Sequence, residues 1–329
     1  MVLDGTSPQA IAQAVARLRA GGLVGMPTET VYGLAADATN ATAVARIFEA
    51  KGRPSDHPLI VHVAEPHQVA HFALEIAPFA HALMAAFWPG PLTLILPRRP
   101  EVAAAAAGGQ VSVGLRCPAH PVATALLRAC AAAGVAGLAA PSANRFGRVS
   151  PTTAAHVQDS FGDQLLVLDG GPCQVGIEST IVDCTRGQPV LLRPGGISRE
   201  RIEAVCGQPL GDPHALEAPA PRASGTLEAH YAPDAPVRLM DAQALQTALE
   251  VLGPDARAIA VWSRAPLRSA AAGVLLRRMP DGAVAVQHEL FATLRAFDTL
   301  GVRLIWIEKP PDSPEWEGVA DRLQRAAAA

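Results

Sequence analysis

Residues 23–34 read Leu23-Val24-Gly25-Met26-Pro27-Thr28-Glu29-Thr30-Val31-Tyr32-Gly33-Leu34. The apolar residues 23–26 form a short strand pattern that stops at Pro27. Beyond the stop, Thr28, Glu29 and Thr30 put two hydroxyls and a carboxylate at a strand mouth, where α/β sheets bind their ligands. An ordinary proline turn would use the same residues. Upstream, Ile11, Val15 and Leu18 recur at helical spacing, between Pro8 near the start and Gly21-Gly22 at the stop. Downstream, Asn40 can cap a second helix with Val44, Ile47 and Phe48 facing inward, ending at Lys51-Gly52. Residues 58–63, 92–96, 111–115, 165–168, 179–182 and 190–192 read as strands, and 78–87 and 122–133 as helices. The alternation is not strictly strand–helix–strand, so the reading is an α/β or α+β domain around a twisted mixed sheet.

The chain has 329 residues, a length at which a single core usually gives way to two. Hydrophobic residues make up 50% and charged residues 17%, which excludes a disordered chain. Prolines cluster between about 210 and 236 with little apolar periodicity, the texture of a linker. Residues 237–240, 258–262 and 304–307 read as strands, with helices around Leu245, Leu290 and Val319. The expected organisation is therefore a main domain at 1–209, a proline-rich linker or lid at 210–236, and a small α/β domain at 237–329.

Charge argues against a strong nucleic-acid binder: 1–209 holds 15 basic and 15 acidic residues, and 210–329 holds 12 and 15. Five cysteines without a C-x-x-C pair read as free thiols rather than a zinc site. There is no leader pattern and no run of 18 strongly apolar residues, so a cytoplasmic protein without a membrane partner is expected. Of 27 basic residues only Lys51 and Lys309 are lysine. In so arginine-rich a chain, a retained lysine points to a need for a compact ammonium.

Lys51-Gly52-Arg53-Pro54 suits a polyphosphate, with the lysine as a point charge and the arginine as a two-pronged donor. Simple complementation of the helix dipole is the alternative. No G-x-x-x-x-G-K-[ST] loop is present. Ser142-Ala143-Asn144 and Ser150-Pro151-Thr152 place small polar groups around turns before a helix start, serving either anion binding or capping. Gly176-Ile177-Glu178-Ser179-Thr180 is a glycine-led loop into a strand. Arg193 and Arg116 each end a strand, where a salt bridge is the plainer account. His62 lies inside a strand, as a satisfied core histidine would. No Ser/His/Asp or Cys/His set is legible. Hydroxyls, arginines, one lysine and glycine turns without a covalent nucleophile suit phosphate or nucleotidyl chemistry, where positioning and charge neutralisation do most of the catalysis.

Residues 27–34, Lys51-Gly52-Arg53-Pro54, Pro58-Leu59-Ile60-Val61-His62, Ser142-Ala143-Asn144, Ser150-Pro151-Thr152, 176–180 and Arg193-Pro194-Gly195 together resemble the YrdC-type domain. Ser224-Gly225-Thr226 and His230-Tyr231-Ala232-Pro233 resemble the linker of the two-domain threonylcarbamoyl-AMP synthases. The resemblance implies a twisted, mostly parallel open sheet with a large concave cavity, and a small Rossmann-like second domain. It implies ATP contacts at Lys51, Arg53, His57, Ser112, Ser142, Asn144, Ser150, Arg193 and Tyr231. It places threonine at Thr30, His62, Arg116, Ala140 and Ser179, and makes Lys51, Arg53 and Arg193 catalytic. The implied activity joins L-threonine, bicarbonate or CO2 and ATP, with Mg2+, into threonylcarbamoyl-AMP and pyrophosphate. The product would pass to a tRNA threonylcarbamoyl transferase. Related YrdC-type domains also serve in RNA binding and ribosome maturation, a reading that the balanced charge of 1–209 disfavours. A carbamoyl-phosphate-using accessory domain would bring zinc-finger segments that this chain lacks.

Overall fold

The computed structural model describes residues 1–212 and 220–329. The stretch of the expected linker at 213–219, with Pro213 and Pro219, lies outside the described residues. Two compact units are present: 1–146 with 150–226, and 147–149 with 227–329.

The first unit is built on ten strands: β1 (Val2–Asp4), β2 (Val24–Met26), β3 (Gly33–Asp37), β4 (Ile60–His62), β5 (Leu92–Pro97), β6 (Ser112–Arg116), β7 (Leu138–Ala139), β8 (Leu166–Asp169), β9 (Thr180–Asp183) and β10 (Val190–Arg193). Their order is β1-β8-β2-β3-β7-β4-β6-β5-β9-β10. Four pairings are parallel, and these join β1 to β8, β2 to β8, β4 to β6, and β5 to β9. The other five are antiparallel. The α/β class stands. The sheet is mixed in direction, as the residues alone indicated, and carries more antiparallel pairs than the resemblance implies. The reason is local. Residues 27–32 do not lead from β2 into a helix but turn the chain back into β3, which runs antiparallel beside β2.

Both faces of this sheet are covered. Helix Pro8–Arg19 buries Ala10, Ala14 and Leu18. Helix Pro121–Ala132 buries Leu126, Leu127 and Cys130. They share a core with Val24, Met26, Leu166 and Leu168. A larger core gathers Val44, Ile47 and Phe48 of helix Ala41–Lys51 with Leu34, Val61, Leu94 and Leu115. Each such buried aliphatic side chain stabilises the fold by roughly 1.5–3 kcal/mol relative to exposure. All five cysteines are free, and four are buried. Burial pushes the Cys130 thiol up to about 12, which leaves it unreactive.

The second unit holds β11 (Val237–Met240), β12 (Arg257–Ser263), β13 (Gly273–Arg278) and β14 (Leu304–Glu308). They are ordered β11-β14-β12-β13, and every pairing is parallel. Among the described residues no helix is long and apolar enough to cross a membrane.

Candidate functional site: linked cation clusters in the first unit

Lys51 ends its helix, and Gly52 follows in the left-handed conformation at φ +64°. That turn is cheap only for glycine. It sends Lys51 away from its own helix: the Nζ donates to the carbonyls of Ser142 and Asn144, each at 2.6 Å. The dipole reading of this lysine is thus displaced by a specific bridge to the 142–144 loop. The ammonium is buried, and burial together with the Arg53 guanidinium holds its pKa well below the usual lysine value.

Arg53 returns over the Phe146 ring at 5.8 Å and donates through Nη2 to the Pro58 carbonyl at 3.0 Å. The same nitrogen reaches Ser224 Oγ at 3.4 Å. Arg193, at the end of β10, donates to the Ser224 carbonyl at 2.7 Å through Nη1. Its Nε and Nη2 hold the Ser179 carbonyl at 3.1 and 2.9 Å, and Nη2 also reaches Ser179 Oγ at 3.1 Å. Gly195 lets the following turn press on β9, because a Cβ there would stand 2.5 Å from the Thr180 nitrogen. Ser150 donates to the Glu178 carboxylate, and both residues are buried. The partly exposed His57 packs edge-on against Phe146 at 5.5 Å. Its pKa is lowered by burial and then by Arg53.

A second cluster adjoins the first through Ser179, whose Oγ lies 2.7 Å from Thr93 Oγ1. Arg116 donates to Thr30 Oγ1 at 2.8 Å and to the Gly90 carbonyl at 3.2 Å. It pairs with Glu29 at 2.7 Å, both side chains being at least nine-tenths buried. His62 stands opposite Arg116 in the β4–β6 register. Burial, and then the Arg116 charge, lower its pKa to about 3, so the imidazole is neutral at working pH. The Ala140 amide donates to the Ile60 carbonyl at 3.0 Å. Ser112, Thr93 and Ser224 line a small pocket with Pro58, Ile60 and Gly114.

The structure thus joins Lys51, Ser142 and Asn144 in one set of contacts, and Arg53, Arg193, Ser224 and Ser179 in another, with the Arg53 and Lys51 charges acting on each other. Tyr231 belongs to the second unit, where it is fully buried at φ +62° against Phe291 (5.3 Å) and under Arg322 (5.4 Å). Sequence reasoning missed Glu29 as the partner of Arg116, Thr93 beside Ser179, and Ser224 as the group held by two cations. Only Glu29 left a local signal, an acid between the two threonines at the strand mouth.

The burial of His62 has a consequence for acid stability. An unfolded histidine titrates near the ordinary 6.5, the folded one near 3. Between those values the unfolded chain holds the extra proton, so the contribution of this residue falls as pH drops from 6.5 towards 3. His62→Gln is expected to lose about 2 kcal/mol less stability than the parent between pH 7 and pH 4.5. Denaturant titrations of both proteins at the two pH values measure this; equal losses would show that His62 is not buried neutral.

A YrdC-like α/β domain followed by a small parallel α/β domain is the class that this fold and site define. A family model described as "Telomere recombination" matches residues 16–195, and one described as "Threonylcarbamoyl-AMP synthase, C-terminal domain" matches 197–328. The chain belongs to the threonylcarbamoyl-AMP synthase family. It is 39% identical to the threonylcarbamoyl-AMP synthase of Bacillus subtilis, over 99% of this chain and 94% of that protein. It is 37% identical to that of Pyrococcus abyssi, over 94% and 92%. A solved structure of P. abyssi Sua5 complexed with L-threonine superposes with a TM-score of 0.86 at 36% identity, covering 96% of this chain and 94% of that one.

Proposed function

We propose that this protein is an L-threonylcarbamoyladenylate synthase, a nucleotidyltransferase that makes threonylcarbamoyl-AMP and pyrophosphate from L-threonine, bicarbonate or CO2, and ATP. One observation carries the reading: Arg193 spans both clusters, holding Ser179 on one side and, with Arg53, Ser224 on the other. Cations suited to phosphates are thereby coupled to a hydroxyl-lined pocket suited to a small amino acid. In the proposed reaction the neutral threonine amine forms an N–C bond to CO2 and gives a proton to solvent. The carbamate oxygen then attacks the α-phosphorus, and the bond to the bridging oxygen breaks to release pyrophosphate. Lys51, Arg53 and Arg193 offset the charge that builds on the phosphates. Ser142, Asn144, Ser150, His57 and Ser112 surround the nucleotide. Arg116, oriented by Glu29, takes the threonine carboxylate, while Thr30, His62, Ala140 and Ser179 complete the pocket.

Among the described residues no three His, Cys, Asp or Glu side chains gather as a metal site. Mg2+ commonly keeps its waters and binds through substrate phosphates with one or two carboxylates, so it enters here as Mg·ATP. The product is a labile mixed anhydride, which suits direct hand-over to a transferase that modifies tRNA adenosine in the cytoplasm. Pyrophosphate release, measured with threonine, bicarbonate and ATP omitted in turn, tests the assignment. Release that persists without threonine or without bicarbonate would overturn it.

The segment 220–226 closes on the phosphate side of this site. Arg222 donates to Asp56 at 2.6 Å and to the Gly108 carbonyl at 2.9 Å, and its amide donates to Gln110 at 2.7 Å. Ser224 occupies Arg53 and Arg193, so a triphosphate taking those cations must exchange with it. Hydrogen–deuterium exchange in 220–226 is expected to change when ATP and threonine are added together. Identical exchange with and without both ligands would remove the lid role.

A further inference from the structure

The second of the two lysines, Lys309, has no part in the site above. It follows β14 directly, exposed, at the carboxyl edge of the all-parallel second sheet. Two neighbouring strands there send their chains in opposite directions. From β12 the chain moves outward to β13, whereas from β14 it enters helix Glu317–Ala327, which packs back on β11. Ligands of open parallel sheets bind outside the carboxyl ends at such a divergence. Ser263, ending β12, is buried and donates to Glu308 of β14 at 2.6 Å.

A cleft of about 190 Å³ opens at the same edge. Val261, Leu267 and Leu276 make it largely apolar, Ser263 supplies a hydroxyl, and Arg277 and Arg278 stand at the rim. Arg278 lies opposite Ser263 in the β12–β13 register. The backbone donors of the loop are already used: the Arg264 and Ala265 amides bind Glu308 at 2.7 and 3.0 Å, and the Arg264 side chain pairs with the same carboxylate. Glu308 is thereby neutralised, and an incoming anion meets side-chain cations instead. Among the described residues Arg277 and Arg278 pair with Glu289 at 3.6 Å and Asp281 at 2.8 Å, both in partly or largely exposed pairs that exchange readily with a better anion.

We infer that this edge is a second binding site, for a small phosphate-bearing molecule such as a nucleoside monophosphate, with its apolar face on Val261 and Leu276, its phosphate on Arg277 and Arg278, and Lys309 adding positive charge at the same sheet edge. The inference does not depend on the reaction assigned to the first unit. The test uses the full chain with AMP, adenosine and inorganic phosphate as separate probes, read by peptide-resolved hydrogen–deuterium exchange, which separates the two units. AMP is expected to slow exchange in 263–278, and adenosine alone to have little effect there. The Arg277→Ser/Arg278→Ser double variant is expected to weaken that protection at least about tenfold in AMP concentration, the loss of one charge-assisted hydrogen bond. Its pyrophosphate release should stay at the parental rate. Lys309→Ser, at an exposed site, gives an independent variant with the same expected direction. Unchanged exchange in 263–278 at millimolar AMP, or equal protection by adenosine, or equal AMP binding by both variants, would overturn the inference.

Discussion

Lys51→Ala is expected to lower the rate of pyrophosphate release by on the order of 10²–10³-fold. The ammonium sits between two carbonyls at 2.6 Å, on a loop that also carries Ser142 and Asn144. It therefore has two roles, presenting a charge to the phosphates and fixing the loop beside them. Removing it takes a charge-assisted hydrogen bond from each of two carbonyls, of which that of Ser142 keeps the Asn144 amide at 3.0 Å, at a cost of about 1–3 kcal/mol in stability, so thermal melts must accompany the kinetics. A folded variant with parental rate and ATP affinity would remove Lys51 from the mechanism. Lysine and arginine are not exchangeable here, because a planar five-donor fork does not fit where a compact ammonium meets two carbonyls.

The same lysine gives a pH dependence. In the free protein burial and Arg53 depress its pKa. Bound phosphates favour the charged form and raise it again. ATP binding then takes up a proton wherever the pH exceeds the depressed value, so affinity falls as pH rises through that value. Calorimetry in buffers of different ionisation enthalpy reads the uptake directly.

How much of this was legible in the sequence depended on range. Three strands of the second unit were legible from largely apolar runs, and Val237–Met240 and Leu304–Glu308 lie where such runs stand, whereas Gly273–Arg278, ending in two arginines, was not read as a strand. By contrast β3 reads Gly-Leu-Ala-Ala-Asp, with little intrinsic strand preference. It is a strand because β2 and β7 flank it, and a close approach requires its glycine: a Cβ at Gly33 would meet that of Ala140 at 3.1 Å. The three-residue β1 lies at the sheet edge, partly exposed, and has no pattern to read. In the site, Lys51-Gly52-Arg53 was visible because chemistry, conformation and rarity coincide within three residues. The pairing of Glu29 with Arg116, and the grip of Arg53 and Arg193 on Ser224, join residues far apart in the chain. Only the sheet order and the course of 220–226 bring them together. The surroundings of Tyr231 were illegible for a related reason: a motif gives residue types, whereas the packing of its ring against Phe291 depends on a helix sixty residues later.

Replacing threonine by 2-aminobutyrate is expected to abolish turnover far more completely than replacing it by serine. Thr30, Ser179 and Thr93 are buried hydroxyls that already pair with Arg116, Arg193 and one another. A substrate hydroxyl can join such a set by exchanging one pairing for another. 2-Aminobutyrate carries a hydrogen in its place and offers no partner in exchange for a pairing that its binding breaks, and sites built to pair a hydroxyl discriminate by roughly 10⁴-fold or more. The methyl that separates serine from threonine is worth only about 1–3 kcal/mol, or about 10–200-fold. Serine should therefore give slow but measurable pyrophosphate release at saturating ATP and bicarbonate, and 2-aminobutyrate none above background. Comparable rates with the two analogues would mean that shape alone selects the amino acid and that the buried hydroxyls serve only the fold.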